Sequence, residues 1–120
     1  MAPTIQIFGL KKCSDTNKAL RFFKERGIPT QFVDLSEKAM SRGELESVSR
    51  HVPLEDLLDR DGKQFKARSL QYMAEVDIES ELLADPLLLK TPITRFGKLA
   101  ACGHTPAVWK EWAETVKNTK

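Results

Sequence analysis

Hydrophobic positions along the chain change their spacing several times, and each change marks an element. Residues 4–8 are rich in β-formers and predict a strand, which Gly9 interrupts. From Ser14 the spacing turns helical, with Ala19, Leu20, Phe22, Phe23 and Ile28 near one face. Gly27-Ile28-Pro29 closes that helix, because glycine suits a C-cap and proline cannot continue the hydrogen-bond ladder. Thr30 to Leu35 predicts a second strand. Strand, helix and strand at these lengths make a βαβ unit, with parallel strands and a right-handed crossover.

A helical block follows. Ser41-Arg42-Gly43-Glu44 has the Ser-x-x-Glu form of a capping box, and Leu45, Val48 and Val52 make a thin apolar stripe ending at Pro53. Leu54, Leu57 and Leu58 are expected to pack before a turn at Asp59-Arg60-Asp61-Gly62. Further short helices are predicted from Phe65 to Met73 and from Asp77 to Ala84, with Asp77 as cap, Ile78, Leu82 and Leu83 inward, and Asp85-Pro86 as the stop. Residues 36–87 have no linker composition and read as an insertion packed on the core formed by about 1–35 and 88–120.

The chain then returns to extended structure. Two short runs, Lys90 to Arg95 and Leu99 to Cys102, flank Phe96-Gly97-Lys98 and predict a hairpin. Thr105-Pro106 supplies a cap and a first-turn proline for a last helix to about Val116. Its Val108, Trp109, Trp112 and Val116 form one apolar face, and tryptophans at this spacing belong to a core more often than to a binding stripe. A parallel pair, a helical block, a hairpin and a closing helix are the order of a thioredoxin-like α/β fold with a mixed four-stranded sheet. In that fold a cis-proline before the third strand faces a thiol placed after the first. Thr91-Pro92-Ile93 occupies the proline's place, although a trans proline opening a strand is also common.

Composition narrows the function. The 120 residues suffice for one domain with a core that needs no staples, and a net charge of +2 with scattered bases gives no footprint for direct nucleic-acid binding. No stretch approaches 18 apolar residues, and the N-terminus lacks a signal peptide's apolar region, so a cytoplasmic protein with no membrane span is expected. There the two cysteines are expected as thiols. Cys13 and Cys102 stand 89 positions apart, and only His51 and His104 accompany them, so neither a metal site nor a bound cofactor is expected.

The chemistry converges on Cys13, at the junction of the first strand and helix. Free amides and the positive end of a helix stabilise a thiolate there, and neighbouring lysines do the same, lowering a thiol pKa from about 8.5 towards roughly 3.5–7.5. Lys11 and Lys12 are the expected lysines, Ser14 opens the amide-bearing turn, and Asp15 opposes them. The competing view is that a cysteine is often just a small buried hydrophobe. Cys102 has two readings as well, as a packed side chain or as a thiol that resolves a mixed disulfide on Cys13 if disulfide reach allows.

Several stretches together resemble the arsenate reductase (ArsC) family and its Spx-type and uncharacterised glutaredoxin-like relatives. They are Ile7-Phe8-Gly9-Leu10-Lys11-Lys12-Cys13, Phe32-Val33-Asp34-Leu35 with Ser41-Arg42-Gly43-Glu44-Leu45, and Asp85-Pro86-Leu87-Leu88-Leu89-Lys90-Thr91-Pro92-Ile93, closing at Gly103. The resemblance implies a single nucleophilic cysteine, Cys13, working through a mixed disulfide with glutathione or glutaredoxin. Lys90, Thr91, Pro92 and Arg95 are then expected to bind substrate or glutathione. The departures bear on substrate. Thr91 stands where the family has an arginine before the proline, His104-Thr105 where it has another, and near a third Arg60 is followed by Asp61. Guanidinium groups supply much of an oxyanion site's binding, so arsenate reduction ranks behind other thiol chemistry. In the Spx-type regulators, which bind RNA polymerase, a Cys-x-x-Cys switch is found. Here Leu10 replaces its first cysteine, and a non-catalytic adaptor role of that kind is the alternative.

Overall fold

The computed structural model describes residues 4–59, 62–67 and 78–118. Arg60, Asp61, the later part of the helix expected to reach Met73 and the cap expected at Asp77 lie outside these residues. Strand β1 (Ile5–Gly9) pairs parallel with β2 (Thr30–Asp34) and antiparallel with β3 (Ile93–Phe96), and β3 pairs antiparallel with β4 (Leu99–Cys102). The order β2-β1-β3-β4 makes the mixed four-stranded sheet of a thioredoxin-like α/β fold. β3 and β4 are joined across Gly97, whose φ of +59° is a conformation that glycine adopts without the Cβ penalty.

Helix α1 (Ser14–Glu25) connects β1 to β2. It ends in a Schellman motif: the Ile28 amide donates to the Phe23 carbonyl and the Gly27 amide to that of Lys24, both at 3.0 Å. Gly27 has φ +67°, and Phe23 and Ile28 are buried in one cluster, so chain reversal and core formation coincide.

Between β2 and β3 run α2 (Arg42–Ser49), α3 (Leu54–Leu57), α4 (Lys63–Ala67), α5 (Ile78–Ala84) and a 3₁₀ turn at Pro86–Leu88. The capping box of α2 is complete. Glu44 N–H donates to Ser41 Oγ at 3.1 Å, and Ser41 N–H donates to Glu44 Oε1 at 2.9 Å. Helix α6 (Pro106–Asn118) closes the chain.

Strand alternation sorts the core into two layers. Ile5 and Ile7 join Phe23 of α1 and Trp109 and Trp112 of α6, which are 1% and 4% exposed, so the tryptophans are core. Phe8 and Ile93 join Leu45, Val48, Leu57, Leu82 and Leu88 on the other side, beneath α2–α5. Leu58 and Leu89 form an isolated antiparallel bridge, and Lys90 N–H donates to the Leu57 carbonyl at 2.7 Å. These bonds fix the segment entering β3 against the helical block and place Thr91-Pro92 at the sheet end where β1 stops.

Candidate active site

β1 ends at Gly9, and the chain turns through Leu10, Lys11 and Lys12, with Cys13 N–H donating to the Leu10 carbonyl at 3.0 Å. Cys13 is the N-cap residue of α1, with extended backbone (φ −80°, ψ 119°) and a half-buried side chain. Its carbonyl accepts the first helical bond, from Asn17 N–H at 3.1 Å. The thiol therefore lies at the end of the helix where backbone amides have no helical partner.

Across from it the Thr91–Pro92 peptide is cis. Pro92 is buried, its carbonyl accepting Gly103 N–H at 2.8 Å, and Thr91 is the residue that reaches the sulfur. Thr91 Oγ1 donates to Cys13 Sγ at 3.1 Å, and the thiol has the Thr91 carbonyl as a longer acceptor at 3.8 Å.

Burial pushes the Cys13 thiol up, but the hydroxyls of Thr16 and Thr91 and the amides of Thr16 and Asp15 more than offset it, holding the thiol below its ordinary value. Thr16 is fully buried in the first turn of α1 against Gly9, where an added Cβ would fall 2.6 Å from its Cγ2. Its buried hydroxyl has no partner of hydrogen-bond geometry, the sulfur included, so its pull on the thiolate is looser than the direct contact from Thr91.

The groups that sequence assigned to this task are arranged differently. Lys11 lies 3.8 Å from Asp34, because β1 and β2 pair Gly9 with Asp34 and bring that carboxylate beside the turn. Asp34 is itself held below the usual carboxylate range, chiefly by Ser36, whose Oγ and N–H donate at 2.7 and 2.9 Å. Lys12 and Ser14 are exposed, and the amides acting on the sulfur are those of the next two residues, Asp15 and Thr16.

Arg95 is drawn away from the thiol. It pairs with Gln6 across the sheet, donating from Nη1 to Gln6 Oε1 at 2.8 Å and from Nη2 to Ser47 Oγ of α2 at 3.2 Å. Two residues into β3, its side chain shares the face of Ile93 under α2 and does not flank the thiol-bearing turn. Lys90 has an exposed side chain, and its carbonyl accepts the Cys102 thiol at 3.4 Å.

Cys102 pairs with Ile93 at the start of β3, so its strand ends beside the cis-proline. Its sulfur nevertheless packs on the α2–α5 layer, and burial pushes its thiol up to about 11. At neutral pH it is protonated, a poor attacking group.

Two cavities flank the site. One of about 540 Å³ is lined by Leu10, Lys11, Lys12, Asp34, Ser36, Glu37 and Leu87. The other, of about 300 Å³, is lined by Leu10, Asp59, Gly62, Lys63, Gln64, Leu87, Leu89 and Thr91. Leu10 and Leu87 border both and make an apolar shelf beside the turn that leads to Cys13. Among the described residues no three His, Cys, Asp or Glu side chains gather as metal ligands, and no helix is long and apolar enough to cross a membrane.

Comparison with solved structures bears on the fold. An arsenate reductase from Vibrio cholerae superposes with a TM-score of 0.79, covering 92% of this chain and 98% of its own at 21% identity. The fold is that of arsenate reductase-like proteins. A protein described as YffB gives 0.80 over 89% of this chain and 96% of its own at 22% identity. An arsenate reductase (ArsC) related protein from Brucella melitensis gives 0.65 over 91% and 93% at 24% identity. No protein-family profile and no curated protein sequence matches the chain. Within the arsenate reductase-like fold this chain combines Thr91, Thr16 and Leu10 around its cysteine. Thr16 was missed by sequence reading. The signal available was a hydroxyl residue in the first helical turn after Cys13, with Gly9 at the strand end as the residue that admits it.

Proposed function

We propose that the chain is a thiol-dependent oxidoreductase of the arsenate reductase-like kind, with Cys13 as nucleophile and glutathione or a glutaredoxin as the thiol that completes turnover. The observation that carries this is the short contact from Thr91 Oγ1 to Cys13 Sγ at the N-terminus of α1. A half-buried thiol that receives hydroxyl and amide donors is an activated one.

The Cys13 thiolate attacks one sulfur of a disulfide R–S–S–R′. The new bond joins Cys13 Sγ to R–S, and R′–S⁻ leaves with the electron pair of the broken bond. Glutathione thiolate then attacks the mixed disulfide, forming R–S–SG and returning Cys13 as thiolate. When R is itself glutathione, the product is glutathione disulfide and R′ has been reduced by two electrons. An external thiol is needed because Leu10 fills the place of a second cysteine in the motif and Cys102 is protonated and packed against the helical layer. Arsenate is the less suited substrate, since a threonine hydroxyl rather than a guanidinium meets the sulfur and Arg95 is bonded to Gln6 and Ser47. A thiol-reducing compartment such as the cytoplasm suits this cycle.

The test is glutathione-dependent reduction of a mixed disulfide by the purified chain, together with iodoacetamide labelling near neutral pH. Cys13→Ser is expected to abolish both. Turnover that survives the substitution overturns the reading. A Cys13 thiol that titrates at or above the ordinary cysteine value leaves a binding role such as an RNA polymerase adaptor.

A further inference from the structure

We propose that Thr91 is the positioning and specificity-determining residue of this site: through its hydroxyl it holds Cys13 Sγ as a nucleophile by neutral donors, fitting the site to uncharged sulfur–sulfur bonds rather than oxyanions. This rests on the reading of Cys13 as the nucleophile and adds to it the residue that sets its reactivity and the class of electrophile it takes.

The geometry treats the two protonation states of Cys13 unequally. A thiol has the Thr91 carbonyl as acceptor at 3.8 Å, a weak contact, whereas a thiolate receives the Thr91 hydroxyl at 3.1 Å, a good distance for a sulfur acceptor. One residue thus offers the protonated sulfur little and the ionised sulfur a charge-assisted hydrogen bond. Thr91 is held in place on both sides, since Lys90 N–H is bonded to the Leu57 carbonyl and the Pro92 carbonyl accepts Gly103 N–H. Its hydroxyl is therefore preorganised at the sulfur. Thr16 lies on the helix side of the sulfur, buried against Gly9 with its hydroxyl unpartnered.

The substrate class follows from the charge on these donors. An oxyanion brought to a thiolate sets two negative charges within a few ångströms, and only fixed cations at the sulfur relieve that. Here Lys11 is drawn to Asp34, Lys12 and Lys90 have exposed side chains, Arg95 is bonded to Gln6 and Ser47, and the group bonded to Sγ is an uncharged hydroxyl. A disulfide brings no charge to the reacting sulfur. Its apolar flank meets Leu10 and Leu87, the shelf shared by the two cavities.

The experiment follows alkylation of Cys13 against pH for wild type, Thr91→Val and Thr91→Ser, using neutral iodoacetamide and anionic iodoacetate, with Cys13→Ser as baseline and circular dichroism to verify folding. Thr91→Val is expected to move the titration midpoint to higher pH and to slow iodoacetamide labelling at pH 7 about tenfold, the loss of one hydrogen bond to a charged group. Thr91→Ser is expected to restore the wild-type profile, which a merely structural role for the threonine would not do. Wild type is expected to prefer iodoacetamide to iodoacetate, with a ratio that narrows but does not invert up to about 1 M salt, where the screening length falls to about 3 Å. A folded Thr91→Val with an unshifted profile overturns the role of Thr91 while leaving Cys13 as nucleophile. A preference for iodoacetate that disappears in salt overturns the neutral site, because it reveals a cation at the sulfur. Labelling that persists in Cys13→Ser at the wild-type rate removes the nucleophile itself, and is told apart from both.

Discussion

Gly9→Ala is expected to couple the packing of the sheet to the chemistry of the thiol. Gly9 is buried at the end of β1, and a methyl added there lies 2.6 Å from Thr16 Cγ2 and 3.0 Å from Thr16 Cβ. Contact distances between carbons are about 3.5–4.0 Å, so the overlap approaches an ångström. Thr16 is fully buried and branched at Cβ, which leaves few alternative rotamers, and the first turn of α1 must move. Overpacking of this kind costs about 1–3 kcal/mol. With an m-value of about 1–3 kcal/mol/M in urea, the unfolding midpoint is expected to fall by roughly 1 M. The same displacement pulls the Thr16 hydroxyl and amide off the sulfur, so the Cys13 titration moves to higher pH. A double-mutant cycle isolates the cause. Removing the Thr16 hydroxyl and methyl with Thr16→Ala leaves only the Cβ contact, and the cost of Gly9→Ala is expected to drop by at least about 1 kcal/mol in that background. The general effect of alanine on the unfolded chain is common to both backgrounds and cancels. A cost that agrees within about 0.5 kcal/mol in the two backgrounds refutes the steric coupling.

Arg95→Met is expected to lower stability by about 1–3 kcal/mol, through loss of the bonds to Gln6 and Ser47, without slowing Cys13 alkylation; a matching loss of reactivity would return Arg95 to the site. Cys102 gives a pH prediction of definite sign. The fold keeps its thiol protonated up to about 11 while the unfolded chain ionises it near 9.0, so its contribution to stability is complete below about 9 and is lost as pH rises towards 11. Unfolding curves for Cys102→Ala against the parent across that window are expected to show a smaller alkaline loss, and parallel curves would contradict the burial that raises the thiol. Cys13 has the opposite sign. Its folded thiol lies below the ordinary value, so ionisation adds stability as pH rises towards 9.0, a gain that Cys13→Ser removes.

Much of the architecture was written in local pattern. The period switch at Ser14, the Gly27-Ile28-Pro29 stop, the Ser41–Glu44 box and the Gly97 turn each depend on a few neighbouring residues, and each appears as an element boundary. The cysteine at the strand–helix junction was legible for the same reason, since strand end and helix start define its surroundings. Sequence overvalued the lysines beside it, because adjacency along the chain does not say where a long flexible side chain finds its partner. β2 supplied Asp34 to Lys11, and β1 and α2 supplied Gln6 and Ser47 to Arg95.

By itself the sequence determined which thiol stands at a helix start, where the helices begin and end, and that a proline precedes the third strand. Only the tertiary structure decided what touches that sulfur. Thr91 is 78 positions from Cys13 and meets it because β3 runs antiparallel beside β1. Thr16 is buried in the turn that carries the sulfur because a glycine in the strand lets the helix settle closely upon it. Local pattern is fixed by backbone geometry over a few residues, whereas the donors around a buried sulfur are chosen by how layers pack.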